Sequence, residues 1–268
     1  MANDVIELRG ATKRFRGTSG GIHTAVHDLT MTVAANEFVA VVGPTGCGKS
    51  TTLSLVSGLE PPSTGEVLVA GSPVRGIPDG VGYMFQNDAV LPWRSVLDNV
   101  AAGPRYRGES RSAARARART WVERVGLAGF EGYYPHQLSG GMRKRVALAQ
   151  TLVNQPSILL MDEPFSALDV QTRSLMQDEL LRLWSGTGAA VIFVTHDLEE
   201  AIALADRVIV MTASPATVKA SFRVPLDRPR DVEELRLSTE FLEIYREIWQ
   251  SLRDEVEKAR EGSASRVA

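Results

Sequence analysis

The stretch Glu37-Phe38-Val39-Ala40-Val41-Val42-Gly43-Pro44-Thr45-Gly46-Cys47-Gly48-Lys49-Ser50 decides how this chain is read. Its first half is a short apolar run that suits a buried strand. Its second half has the spacing G-x-x-x-x-G-K-S. Glycines at 43, 46 and 48 let the backbone turn tightly, so that successive N–H groups point inward at phosphate oxygens. Lys49 is placed to reach β- and γ-phosphates, and Ser50 to hold a magnesium ion. Pro44, Thr45, Cys47 and Thr51 complete the phosphate-contacting span. Residues 51–57 read as a helix with Gly58 at its end, and its N-terminal dipole favours an anion. The alternative is a strand–helix turn without a ligand, but strand, loop and helix are all present in the required order. Cys47 reads as a small loop residue rather than a nucleophile.

Working outward, Ile158-Leu159-Leu160-Met161 is a second buried-strand pattern, introduced by Pro156 and ended by two acids. Side chains alternate in direction along a strand, so neighbours can do different jobs. Asp162 is assigned to the Mg²⁺ shell and Glu163 to polarising the attacking water. Capping of the next helix by these acids is the structural alternative. Ala190-Val191-Ile192-Phe193-Val194-Thr195 is a third strand, with His196 at its end. Asp197 follows as a helix N-cap, and Glu200 three residues on completes a capping-box pattern. Val81-Gly82-Tyr83-Met84-Phe85 is strand-like and ends at Gln86. In Leu138-Ser139-Gly140-Gly141-Met142, Ser139 can cap a helix starting near Met142, and the glycines leave its N–H groups open. That makes a second anion site at residues 139–141. An ordinary capped helix, burying Val146, Leu148, Ala149 and Leu152, is the alternative. Asp169 reads as an N-cap for a helix over residues 170–184.

These motifs, in this order, resemble the ATP-binding cassette (ABC) ATPases over roughly residues 5–225. The resemblance implies an α/β P-loop NTPase core with an antiparallel β subdomain, and ATP and Mg²⁺ as cofactors. The ABC ATP-binding domain is expected over residues 1–227, with a helical subdomain at about 88–155 inserted. A C-terminal helical extension is expected over 228–258, and a flexible tail over 259–268. The resemblance also assigns roles. Gln86 touches Mg²⁺ and the attacking water, His196 touches the γ-phosphate, and Phe15 stacks on adenine, with His23 a weaker choice and a core position the alternative for Phe15. It implies that residues 139–141 serve the ATP of a second ABC chain in a head-to-tail homodimer, with Asp169 a contact across that interface as well as a helix cap. The usual form has Gln where this chain has Met142, which removes a side-chain amide but not the backbone cradle.

Leu91-Pro92-Trp93, and the segment Val224-Pro225-Leu226-Asp227-Arg228-Pro229-Arg230-Asp231, are similar to the nitrate, sulfonate and taurine uptake branch. That implies an importer subunit for small anions. Its partners are transmembrane permease subunits, one helix of which enters a cleft formed in part by residues 91–93, and a periplasmic or lipid-anchored substrate-binding protein. A buried turn with an aromatic plug is the alternative for 91–93. A non-transport ABC ATPase, or the ATPase half of an exporter, is the alternative for the whole.

At 268 residues the chain is long enough for one large domain or two small ones. Its 44% hydrophobic content is ordinary for a globular protein. The formal net charge of −2 argues against nucleic acid as the dominant partner. The single cysteine allows no internal disulfide. Met1-Ala2-Asn3-Asp4 has neither a basic start nor an apolar core, so no signal peptide is expected. No apolar run is long enough to span a bilayer. The expected place is the cytoplasmic face of the inner membrane, as a peripheral subunit. Strands are expected at residues 5–8, 29–33, 208–211 and 218–224, and a Gly/Ser/Thr-rich loop at 16–24. The arginines between Arg105 and Arg124 read as a solvated helix face rather than an RNA site. An apolar stripe of Leu235, Phe241, Leu242, Tyr245, Ile248, Trp249, Leu252 and Val256 predicts a helix packed on the core.

Overall fold

The computed structural model describes residues 4–17 and 20–264. It divides into two compact units, one made of residues up to Asp79 and from Gly188 onward, the other of residues 80–187.

The first unit opens with β1 (Asp4–Arg16) and β2 (Ile22–Ala34), an antiparallel pair of 13 residues each. Both are longer than the sequence pattern predicts. Bulges break the alternation that a sequence reading depends on. The predicted loop at 16–24 shrinks to a turn between Arg16 and Ile22, of which residues 18 and 19 lie outside the described residues. Next come β3 (Phe38–Val42) and α1 (Lys49–Val56), then β4 (Thr64–Val69) and β5 (Ser72–Pro73). β4 pairs antiparallel with β1 and with β5, so the outer sheet runs β2-β1-β4-β5.

The second unit holds β6 (Val81–Met84), then α2 (Val96–Val100), α3 (Ala102–Tyr106), α4 (Arg111–Arg124) and α5 (Gly140–Leu152). It closes with β7 (Ile158–Asp162) and α6 (Val170–Trp184). β6 and β7 pair in parallel from Val81↔Ile158 to Met84↔Met161. The unit is therefore wider than the predicted helical insertion at 88–155, because it includes this strand pair and α6. On α4, Ala114, Ala118, Trp121 and Val122 face inward, and five arginines lie among the remaining positions. Side chains cap several helices of this unit, among them α2, where Ser95 accepts from Asp98 N. Ser110 accepts from Ala113 N, Ser139 from Met142 N and Asp169 from Thr172 N. Each cap satisfies one otherwise orphaned donor.

The chain then returns to the first unit with β8 (Ala190–Val194), α7 (Leu198–Leu204), β9 (Arg207–Met211) and β10 (Val218–Arg223). β3 lies between β8 and β9, parallel to both, and β10 adds antiparallel to β9. Every residue of β3 and β8 is buried, which is why both read as unbroken apolar runs. Phe38 and Phe193, both fully buried, meet with ring centroids 5.8 Å apart. Burial of each contributes about 1.5–3 kcal/mol. Among the described residues no helix is long and apolar enough to cross a membrane.

Two further helices, α8 (Val232–Leu235) and α9 (Thr239–Ala264), follow in the same unit. α9 runs past the predicted boundary at 258 to Ala264, and residues 265–268 lie outside the described residues. Only part of the predicted stripe is buried. Phe241, Ile248 and Leu252 point inward, whereas Leu242 and Trp249 are exposed. Glu255 takes the next inward position, 2% exposed, where it accepts from Ala213 N at 2.9 Å and pairs with Lys219 and Lys258. Burial alone would raise its pKa, but these partners hold it down at about 2. Arg230 anchors the start of the extension by donating to the carbonyls of Ala203 and Ala205 at the end of α7, where a cation also suits the helix dipole.

Candidate functional site

In the first unit, β3 delivers the chain into the glycine-rich loop and α1 leaves it. Gly46 and Gly48 have φ of 74° and 130°, a backbone region that favours glycine. Gly43 is needed for space instead, since a Cβ there would lie 3.0 Å from Cys47 Sγ and 3.2 Å from Met211 Cβ. The N-cap of α1, Gly48, offers no side-chain acceptor, so the helix presents its first N–H groups to the loop. Lys49 is 5% exposed and donates to the carbonyls of Gly43 at 2.9 Å and Pro44 at 3.0 Å. An ammonium carries three donors, so this lysine is pinned inside the loop with one still to give. Thr45, Gly46 and Ser50 are exposed around it, and Thr51 lies half-buried behind. Cys47 is buried, which pushes its thiol pKa up and makes it a poor nucleophile.

His196 stands exposed one residue beyond the buried Thr195 at the end of β8. Asp197 caps α7 by accepting from Glu199 N and Glu200 N. The predicted return contact of a capping box gives way to another, as the buried Glu200 carboxylate takes the hydroxyl of Thr195. Phe15 is half-buried on β1 directly opposite His23 on β2. Lys13 Nζ lies 5.1 Å from the Phe15 ring centroid.

In the second unit, β7 ends at Asp162, and the next residue, Glu163, has a φ of 43°. For a residue with a side chain this costs about 1–3 kcal/mol, the kind of strain that collects at functional sites. The turn is held by Ser166, whose hydroxyl and N–H both donate to the Glu163 carbonyl, at 3.0 and 3.3 Å. Gln86, just past β6, brings its Nε2 to 3.5 Å from Glu163 Oε2. Tyr83 on β6 hydrogen-bonds Asp162, and burial, reinforced by that carboxylate, pushes the phenol pKa up. β6 and β7 thus bring Gln86 and Glu163 together beside Asp162.

Ser139 is the N-cap of α5, and the helix begins at Gly140 rather than near Met142. The two glycines therefore differ. A Cβ on Gly141 would fall 2.7 Å from Thr172 Cγ2 on α6, whereas one on Gly140 would meet nothing nearer than 3.9 Å. Gly141 serves helix packing, and Gly140 leaves an open face. Lys144, buried on the same helix, donates to the carbonyl of Gln86.

Residues 91–93 do not form a buried turn. Trp93 is 71% exposed. The fully buried Asn99 holds the turn, its two amide hydrogens shared among the carbonyls of Leu91, Arg94 and Ser95 at 3.0–3.1 Å while its Oδ1 accepts from Leu91 N at 2.7 Å. Leu91 lines a cleft of about 370 Å³ together with Tyr83, Phe85, Ala89, Tyr106 and Gln150, whereas Pro92 and Trp93 are not among its lining residues.

Sequence reasoning missed Asn99, Lys144, Tyr83 and Glu255. Lys144 and Glu255 were legible in principle, because each continues an apolar helical stripe, 144–148–152 and 241–248–252–255. Asn99 sits inside the apolar Val96–Val100 helix with nothing local to mark its partners.

A glycine-rich loop closed on a buried lysine at a strand–helix junction, with a strand-end carboxylate pair elsewhere in the chain, defines a P-loop nucleotide hydrolase. The serine-capped double-glycine helix narrows the class further. The ABC transporter family profile matches residues 26–166. An uncharacterized ABC transporter ATP-binding protein of Methanocaldococcus jannaschii is 44% identical over 254 residues, covering 95% of this chain and 93% of that protein. A taurine import ATP-binding protein of Burkholderia thailandensis is 42% identical, covering 89% and 93%. The dimeric structure of a bacterial ABC transporter cassette matches with a TM-score of 0.73 at 29% identity, covering 83% of this chain and all of that one. The same cassette in a post-hydrolysis state bound to ADP and Pi matches equally well. The chain belongs to the ABC transporter family and is an ATPase subunit of the cassette type.

Among the described residues no group of three or more His, Cys, Asp or Glu side chains gathers to hold a metal. Ser50, Gln86 and Asp162 offer a hydroxyl, an amide oxygen and a carboxylate. Hard oxygen donors with few carboxylates suit Mg²⁺, which is usually held through one or two acids plus substrate phosphates.

Proposed function

We propose that this chain is the ATP-hydrolysing subunit of an importer for small anions of the nitrate, sulfonate or taurine kind. It works as one of a pair on the cytoplasmic face of the inner membrane, coupled to a separate permease and a periplasmic or lipid-anchored substrate-binding protein. The observation that carries the hydrolytic reading is the pairing of Gln86 with a strained Glu163 next to Asp162. The importer reading is supported by similarity to a taurine import protein along most of both chains.

In this reading the loop N–H groups of residues 43–51 and the Lys49 ammonium bind the phosphates. Phe15 stacks on adenine. Ser50, Asp162 and Gln86 would hold Mg²⁺, which would neutralise charge on the phosphate oxygens. Gln86 orients the attacking water, Glu163 takes its proton as the bond to the β-phosphate oxygen breaks, and His196 contacts the γ-phosphate. Ser139, Gly140 and Gly141 receive the ATP of the partner chain, for which the open Gly140 face leaves room. The cleft bounded by Leu91 receives a permease helix.

Glu163→Gln keeps shape and hydrogen bonding but removes the base. It should cut turnover by about 10²-fold or more while ATP still binds. Lys49→Ala should instead weaken binding of labelled ATP. Near-normal turnover in Glu163→Gln would overturn the catalytic assignment. Co-purification with the permease, followed by ATPase assays with binding protein loaded with taurine, an alkanesulfonate or nitrate, tests the substrate class. Stimulation by none of the three would remove the anion-importer reading and leave the ATPase intact.

A further inference from the structure

The second unit carries another concavity, of about 320 Å³, lined by Arg94, Asp98, Arg105, Tyr106, Arg111 and Arg115. Its residues come from the turn before α2 and from α2, α3 and α4, and it lies outside the residues assigned to hydrolysis. Four guanidinium groups share it with one carboxylate. That carboxylate is already used, since Asp98 Oδ1 accepts from Arg115 at 2.6 Å. Arg94 is held by an aromatic rather than an acid. It donates to the Tyr106 hydroxyl at 3.0 Å and lies 5.6 Å from the ring centroid. Arg105 and Arg111 have no carboxylate partner among the described residues, although other arginines of the same stretch do, as in the Arg117–Glu109 pair.

Like charges gathered in one concavity repel unless a counter-charge joins them. A lone carboxylate engages one guanidinium fork, whereas a phosphate offers three or more oxygens and up to two negative charges to several forks. The volume lies at the small end of ligand sites, about 300–1,000 Å³, and suits a phosphate with little attached. We propose that this concavity binds a phosphate group, carried either by a small soluble molecule or by an anionic lipid headgroup. Arg94, held in place by Tyr106, and Arg115, held by Asp98, form the fixed wall. Arg105 and Arg111 close on the anion.

The test compares the full chain with the Arg105→Gln/Arg111→Gln double variant, with ADP and Mg²⁺ filling the first cradle. Both side chains are exposed, so the variant should fold and keep basal ATPase activity. Calorimetry with inorganic phosphate is one arm. Sedimentation with phosphatidylcholine vesicles, with and without phosphatidic acid, is the other. Binding in the first arm that weakens about tenfold or more in the variant supports a soluble phosphate. Arginine-dependent binding to the phosphatidic acid vesicles alone supports a lipid headgroup. Absence of binding in both arms, or equal binding by both proteins, overturns the proposal. Arginine-dependent binding of a polyglutamate peptide in preference to either phosphate probe also overturns it, in favour of an acidic protein partner.

Discussion

The ammonium of Lys144 on α5 donates to the carbonyl of Gln86 at 2.8 Å and lies 2.9 Å from Asp88 Oδ1. Arg143, one residue earlier, reaches the other oxygen of Asp88 at 3.3 Å. The helix capped by Ser139 therefore grips the segment carrying Gln86, whose amide faces Glu163. A displacement of α5 would move Gln86 with it.

Lys144→Met should destabilise the fold by about 2 kcal/mol, because it leaves Asp88 Oδ1 and the Gln86 carbonyl without their buried donor, with Arg143 still on the other oxygen. Adding Asp88→Asn should recover part of that loss. Urea unfolding of the four proteins of the cycle measures it. Turnover should fall further than ATP affinity. Simple additivity would show that the pair is not energetically joined.

If residues 139–141 receive the ATP of a second chain, the dimer should depend on ATP. Glu163→Gln should run as a dimer with ATP and mainly as a monomer without it, and adding Ser139→Arg should abolish the dimer. The glycines should separate in the same assay. Gly140→Ala adds a methyl to open space, whereas Gly141→Ala drives one into Thr172 and should cost about 1–3 kcal/mol. Size-exclusion chromatography and thermal melts report both. A dimer indifferent to nucleotide and to residue 139 would refute the arrangement.

Trp93 and Asn99 should give opposite phenotypes although they hold the same turn. Trp93→Ala should change stability by no more than about 0.5 kcal/mol, as exposed positions do. It should weaken assembly with the permease by about 2 kcal/mol if it anchors that contact. Asn99→Ala should cost about 3 kcal/mol of stability, because one side chain satisfies four backbone partners. A pull-down with the permease and a melt of the isolated chain separate the two. Unfolding of the Trp93→Ala protein would return that residue to the core.

Glu255 makes the docking of α9 pH-dependent. Its folded pKa of about 2 lies below the ordinary 4.5. Its stabilising contribution is therefore complete above pH 4.5 and is lost as pH falls towards 2. Glu255→Gln should lower the melting temperature at neutral pH. The gap to the native chain should narrow across that acid window. A constant gap would mean that the carboxylate charge does not hold the helix.

The phosphate loop, the strand-end acids, the serine-capped helix and the strands bearing them were legible in the sequence. Each is local: a few consecutive residues set the φ angles, the cap and the apolar run. β3 and β8 could be read because strands buried on both faces are apolar without interruption. The family followed from the order of those motifs. What only the tertiary structure decided is where single side chains found partners distant in sequence. Asn99 turns residues 91–95 so that Trp93 faces outward, Lys144 reaches across 58 positions to Gln86, and Glu255 reaches across 42 to Ala213. Glu200 turned to Thr195 instead of completing its own cap. A buried polar group needs a partner, and the chain's local pattern says that one must exist without saying which. Packing chooses it, because only the folded backbone brings the unsatisfied donor and acceptor within reach.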